Sequence, residues 1–290
     1  TQTDAQSDVP KVVADYFFVG QRRAGGRDQQ LADDAIAEGD GQTPVLALKD
    51  VRSRSLFAHA CPCKGAHEAV IAKVISDLDS LGYRKVLIRT DREGPITDLF
   101  AEVKKRWWGE IIKVESMVCD SNTNSEAEQA VQKIQDEMRT FKSSLDDAIK
   151  DRIDPSHPIL TWLVEHVASV DRRTSIGQDG RTPLHRTRGW HGRDVMVEFA
   201  ECVHFMPLRG NVSDKRQAKI NFEARFMDGV FLGLADKSDE ILVWCAEGVR
   251  KARTIRRKAD EHRFNKEEIL AVAITPLRPN PENEDQHIRT

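Results

Sequence analysis

A chain of 290 residues, 31% of them charged and with a formal net charge of −3, is long enough to bury one large core or two modest ones, and its charge balance singles out no class of partner. It has no run of about 18 apolar residues to span a bilayer, and its start, TQTDAQSDVP, lacks the basic and apolar regions of a secretory signal. Five scattered cysteines, an odd number, argue against a disulfide framework and for a reducing compartment.

The first element, KVVADYFFVG (11–20), reads as a buried strand closed by Gly20. The polar, glycine-containing stretch over 21–42 has no lasting period and is expected to be a surface excursion. TPVLALKDVRSRSLFAHACP (43–62) reads as a hairpin turning at KDVRSR. In GAHEAVIAKVISDLDSLG (65–82), Val70, Ile71, Val74, Ile75, Leu78 and Leu81 recur at helical spacing, and Gly82 supplies the stop. A strand follows over 85–91, a short helix over 96–107 and a strand over 111–117. From Thr123 a helix runs to about Ile153, with Ala127, Val131, Ile134, Met138 and Leu145 on one stripe. This order predicts a mixed α/β domain with an antiparallel start and a parallel continuation. Another helix is expected over 158–175. From about 194 the short runs VMVEFAECVHFM, DGVFLGLA, EILVWCAE and VRKARTIRR predict a small β-rich module. The polar, proline-containing tail is expected to be disordered.

Three carboxylates sit where carboxylates are awkward. Asp15 interrupts an apolar strand, where an unpaired charge costs several kcal/mol and calls for a cation. Asp91 ends a strand at the point where α/β sheets place functional groups. Glu128 lies one turn into a helix. Acidic groups from two strands and a helix, gathered at one sheet edge, suit a pair of divalent ions about 3.5–4 Å apart in phosphoryl transfer.

These residues carry a resemblance. ADYFFVG, TDREGP and TNSEAEQAVQ are similar to the segments that hold the Asp, Asp, Glu triad in the catalytic core of retroviral and copia-like retrotransposon integrases, and the last resembles an S-N-G-x-x-E-x-A-V-Q pattern. The match aligns Asp15, Asp91 and Glu128 with the triad, and the separation of Asp91 from Glu128 agrees with the family's spacing. Departures are Ser125 in place of the glycine, the run after TDREGP, and the long gap from Asp15 to Asp91. Downstream, WLVEHVASVDRRTSIGQDGRTPLHRTRG and DGVFLGLADKSDEILVW are similar to segments of copia-like polyproteins.

The resemblance implies a ribonuclease-H-like mixed sheet flanked by helices over 8–153 and a helical extension over 154–192. It also implies a small β-rich nucleic-acid-binding module over 193–265 and a tail over 266–290. It further implies metal-dependent 3′-end processing and strand transfer of element DNA, with Asp15, Asp91 and Glu128 as both catalytic residues and ligands of two Mg²⁺ or Mn²⁺ ions. The implied partners are element ends, target DNA and further copies of the chain, with no membrane. The implied location is nuclear with a cytoplasmic particle stage, and the chain, which starts at Thr1, is expected to be part of a polyprotein or a trimmed chain. Two other readings stay open: an inactive integrase-derived module that binds DNA or assembles, and a nuclease of the same fold that cuts without joining.

Other patterns have competing explanations. Ser125 with Glu128, and Thr123 with Glu126, both fit a helix capping box, and Glu126 is assigned the capping role. His59, Cys61, Cys63 and His67 are metal-binding types, but C-x-C is a poor spacing for structural zinc. Arg250, Lys251, Arg253, Arg256, Arg257 and Lys258 form a basic strand suited to a phosphate backbone, with a solvated face as the alternative. The tryptophans of KKRWW are read as packing residues.

Overall fold

The computed structural model describes residues 9–20, 42–91, 93–115, 125–192, 197–208 and 225–280. The excursion expected over 21–42 falls, but for its last residue, outside this set, as does the end of the strand expected over 111–117.

The chain divides into two compact units, and the division passes through a helix, between Glu137 and Met138. The first unit is built on strands β1 (Lys11–Gly20), β2 (Gln42–Asp50), β3 (Leu56–Ala60), β4 (Lys85–Thr90) and β5 (Glu110–Glu115), in the spatial order β3-β2-β1-β4-β5. β1, β2 and β3 pair antiparallel, whereas β4 pairs parallel with β1 and with β5. This is the antiparallel start with a parallel continuation expected from the order of elements. The parallel pairs need crossovers, and helices α1 (Glu68–Leu81) and α2 (Gly94–Arg106) lie in those connections.

Apolar spacing accounts for the helices. Val70, Ile71, Val74 and Leu78 of α1 are buried, as are Ile96, Leu99, Phe100 and Val103 of α2. His67 caps α1 by accepting the Ala69 amide, and Gly82 ends the helix at φ 73°, where a side chain would be strained. The β2–β3 turn is tied by Asp50, whose fully buried carboxylate accepts from the Ser53 amide at 2.9 Å and the Tyr83 hydroxyl at 2.8 Å. Trp107 is buried and Trp108 is 64% exposed, and both indole N–H groups donate to Asp79 Oδ1, at 2.9 and 2.8 Å. Helices α3 (Ser125–Ile149), α4 (Ile159–Thr174) and α5 (Pro183–Arg188) follow, α3 and α4 each contributing to both units.

The second unit holds a closed antiparallel barrel of β6 (Cys202–Pro207), β7 (Met227–Leu234), β8 (Ile241–Cys245) and β9 (Gly248–Arg257). Val203, Phe205, Phe231, Ile241, Val243, Cys245 and Ala252 fill it. Gly229 is required by space: a Cβ there would stand 2.4 Å from the Trp244 carbonyl oxygen and 2.5 Å from Val243 Cγ1.

The disorder expected of the tail is corrected over 266–280. Helix α6 (Lys266–Leu270) buries Ile269, and Val272 is buried beyond it. Trp162 Nε1 donates to the Ile274 carbonyl at 2.8 Å, and the Val249 amide donates to the Pro279 carbonyl at 3.1 Å. A few apolar residues suffice to order a polar segment once the rest of the unit supplies partners for them and for its carbonyls.

Candidate functional site

β1 is central in its sheet, and its register with β4 matches Ala14 to Thr90. Asp15 follows Ala14 on β1 and Asp91 follows Thr90 just past the end of β4, so the register brings the two aspartates to the same end of adjacent strands, where the chain turns into α2. Burial pushes the Asp15 carboxyl up from 3.8 to about 6; the charges of Asp91 and Glu93 add to this, while the Tyr16 amide and Lys64 act against it. The Tyr16 amide donates to Asp15 Oδ1 at 2.7 Å.

Sequence reasoning did not single out Lys64 or Glu93. Lys64 Nζ lies 3.1 Å from Glu93 Oε2 and sits over the rings of Tyr16 and Phe18, 5.7 and 5.1 Å from their centroids. Lys64 lies in the β3–α1 connection and Glu93 in the TDREGP segment, and their pairing depends on how the fold brings the β3–α1 and β4–α2 connections together.

Glu128 is exposed in the first turns of α3. Among the described residues no three His, Cys, Asp or Glu side chains converge to hold a metal ion, so Glu128 does not join Asp15 and Asp91 in one cluster. Glu126 Oε2 lies 3.3 Å from Lys11 Nζ, at the start of β1. That contact seats the first turn of α3 beside Lys11, about 13 Å along an extended strand from Asp15. The capping role given to Glu126 involves Thr123, which lies outside the described residues.

Asp15 and Asp91 are half-buried oxygen donors at the ends of adjacent strands, the donor type that a hard divalent cation takes. The zinc-type residues have other work: His59 Nε2 pairs with buried Asp77 at 2.7 Å, Cys61 is buried, Cys63 is exposed and His67 caps α1.

The basic strand is less free than its composition implies. Arg257 makes a two-pronged contact of 2.7 and 2.8 Å with fully buried Glu201. Lys258 lies 3.4 Å from Glu268 and Arg250 2.6 Å from Glu247. Lys251 and Arg253 share Glu240 at 3.7 and 3.8 Å, although the Arg253 side chain remains 75% exposed. Arg256 is exposed, with its guanidinium 4.5 Å from the centroid of the Phe226 ring. Arg257 and Lys258 are thereby structural cations, and Arg253 and Arg256 are the members most open to solvent.

No protein-family model matches the sequence, and no curated protein is similar to it. The chain is similar to a chain of the simian T-cell lymphotropic virus intasome in complex with PP2A regulatory subunit B56 gamma, with a TM-score of 0.37 and 10% identity over 86% of this chain and 81% of that one. It is similar to the HTLV-2 integrase catalytic core domain in complex with magnesium, in its dimeric form, with a TM-score of 0.39 and 11% identity over 64% of this chain and 100% of that one. It is also similar to the catalytic core domain of BIV integrase, with a TM-score of 0.36 and 12% identity over 61% of this chain and 92% of that one.

Proposed function

We propose that the chain is an integrase-type polynucleotidyl transferase of a copia-like retrotransposon polyprotein. The observation that carries this reading is the parallel register of β1 with β4, which brings Asp15 and Asp91 to the same end of adjacent strands in a mixed sheet. The antiparallel start and parallel continuation support the ribonuclease-H-like assignment. Asp15 and Asp91 would hold a divalent cation, Mg²⁺ or Mn²⁺, with Glu128 the third ligand by its place in the TNSEAEQAVQ pattern. Such an ion lowers the pKa of a bound water and stabilises a leaving oxygen.

The rest falls to the chain's own groups and its DNA. Water attacks a phosphodiester near a 3′ end and its bond to the 3′ oxygen breaks; the freed 3′-hydroxyl then attacks a target phosphodiester in line, and the bond from that phosphorus to the target strand's own 3′ oxygen breaks. The barrel would hold the backbone through Arg253 and Arg256, and the chain would act as a homo-oligomer on two DNA ends in the nucleus. One observation favours a second reading, an inactive DNA-binding or assembly module: Glu128 stands apart from the aspartate pair.

The test is strand transfer of a labelled DNA end in Mg²⁺, for wild type and for the Asp91→Asn/Glu128→Gln double variant. Joining by wild type and its loss in the variant, with DNA retention unchanged, is expected. Joining that survives the double substitution overturns the assignment. DNA retention with no joining by wild type selects the second reading, and cleavage without joined product selects a nuclease.

A further inference from the structure

Two basic segments of the first unit meet although they are far apart along the chain. Arg186 Nη1 of α5 donates to the Ser53 carbonyl in the β2–β3 turn at 2.9 Å, across 133 residues. Arg52 and Arg54 flank Ser53 and are exposed. Arg54 is held at φ 64°, a strained value for a residue with a side chain, in a turn fixed by the buried Asp50 carboxylate. On the other segment, Arg181 is exposed just before α5, and Arg186 and Arg188 lie on the helix. Gly189 ends α5 at φ 75° and turns the chain, and Trp190 follows it 50% exposed, although tryptophan is on average highly buried. The His191 ring packs against that of His185, with centroids 4.3 Å apart, which ties this turn back to the helix.

Carboxylates are scarce along both segments. Neither 51–66 nor 180–192 contains Asp or Glu. The acids just before them are committed, Asp50 to Ser53 and Tyr83, and Asp179 to Arg186 Nε at 2.9 Å. Guanidiniums gathered on one surface repel one another, and a phosphate backbone relieves that repulsion. An exposed indole beside them offers a face for a base. Pro183 and Leu184 of α5 are buried, so the helix has no apolar face left to enter a lipid surface, which favours a nucleic acid over a membrane.

We propose that the β2–β3 turn and α5 form a nucleic-acid contact of the first unit, in which Arg54 and Arg181 hold phosphates of an unpaired strand and Trp190 stacks on one of its bases. The strand is unpaired because bases within a duplex are already stacked on each other. α5 is about 9 Å long, so a strand of a few nucleotides reaches from Arg181 to Trp190. The Val51 amide donates to the Lys11 carbonyl at 2.9 Å, which places the turn at the Lys11 end of β1, away from Asp15. The contact therefore stands whether or not Asp15 and Asp91 hold a cation.

The test is fluorescence anisotropy of a labelled oligothymidylate titrated with the full chain across a salt series, in an Arg253→Gln/Arg256→Gln background that removes the arginines proposed for the barrel. Trp190→Ala is expected to weaken oligothymidylate binding about tenfold or more and to leave binding of a blunt duplex within about twofold, whereas Trp190→Phe, which keeps a ring, stays near the background. Arg54→Gln/Arg181→Gln should flatten the slope of log affinity against log salt by about 1.4, at about 0.7 per phosphate of a single strand. Circular dichroism checks each fold; Arg54→Asn, which suits a positive φ, and Trp190→Leu replace variants that misfold. Affinity and slope unchanged in both variants overturn the proposal, as does binding to phosphatidylserine vesicles without binding to oligothymidylate. A Trp190→Ala loss equal on strand and duplex overturns the stacking role.

Discussion

Replacing Asp15 by asparagine should stabilise the protein in the absence of divalent ions. The carboxyl is held at about 6 in the folded chain against 3.8 as its ordinary value, chiefly by burial. The native state therefore keeps its proton to higher pH than the unfolded chain. Stability falls as pH rises through that window and stays lowered above it. At about 1.36 kcal/mol per pKa unit the full cost is about 3 kcal/mol, and relaxation around a partly solvated group brings the expected gain for Asn to about 1–3 kcal/mol at pH 7.5. Asn keeps an oxygen to accept the Tyr16 amide and has no charge to bury. Urea unfolding in chelator, followed by circular dichroism, should show the two proteins nearly equal near pH 3.5 and separated at pH 7.5. Saturating Mg²⁺ should narrow the gap by stabilising wild type alone. An asparagine variant that is less stable at pH 7.5, or a difference that ignores pH, would refute the reasoning.

Two further outcomes follow from the barrel. Arg257→Met leaves the fully buried Glu201 carboxylate with Arg263 at 3.6 Å as its remaining guanidinium, and should cost about 3 kcal/mol in denaturant unfolding; by contrast Arg253→Gln and Arg256→Gln should stay within about 0.5 kcal/mol of wild type and each lower the salt slope of DNA binding by about one. A neutral effect of Arg257→Met would remove its structural role. Gly229→Ala drives a methyl into the Trp244 carbonyl and should cost about 1–3 kcal/mol or more, so a thermal midpoint equal to wild type would contradict the packing.

Much of the architecture is legible along the chain. The four-residue recurrence of Val70, Val74 and Leu78 with Gly82 behind it, the Pro95 start of α2, and the apolar runs of β1 and β4 are local patterns set by backbone period and steric preference, which act within a few residues. Asp15 and Asp91 are each conspicuous for the same reason: one breaks an apolar strand and the other ends one. Their adjacency, however, comes from the register of a parallel pair whose strands are separated by two other strands and a helix. The partners of Lys64, Arg257 and Glu126 also lie far off in sequence, at Glu93, Glu201 and Lys11. A run of basic residues thus reads as a free surface until the fold supplies its carboxylates, and the lysine that pairs with Glu126 is not legible from its own helix. The tail 266–280 shows the same division, polar by composition yet ordered where the second unit buries Ile269 and Val272 and offers Trp162 and Val249 as hydrogen-bond donors to its carbonyls. Local sequence determines which segments become strands and helices, since that choice is made by neighbouring residues. Which charges meet is decided by tertiary structure, because Coulomb and hydrogen-bond partners are chosen by distance in space.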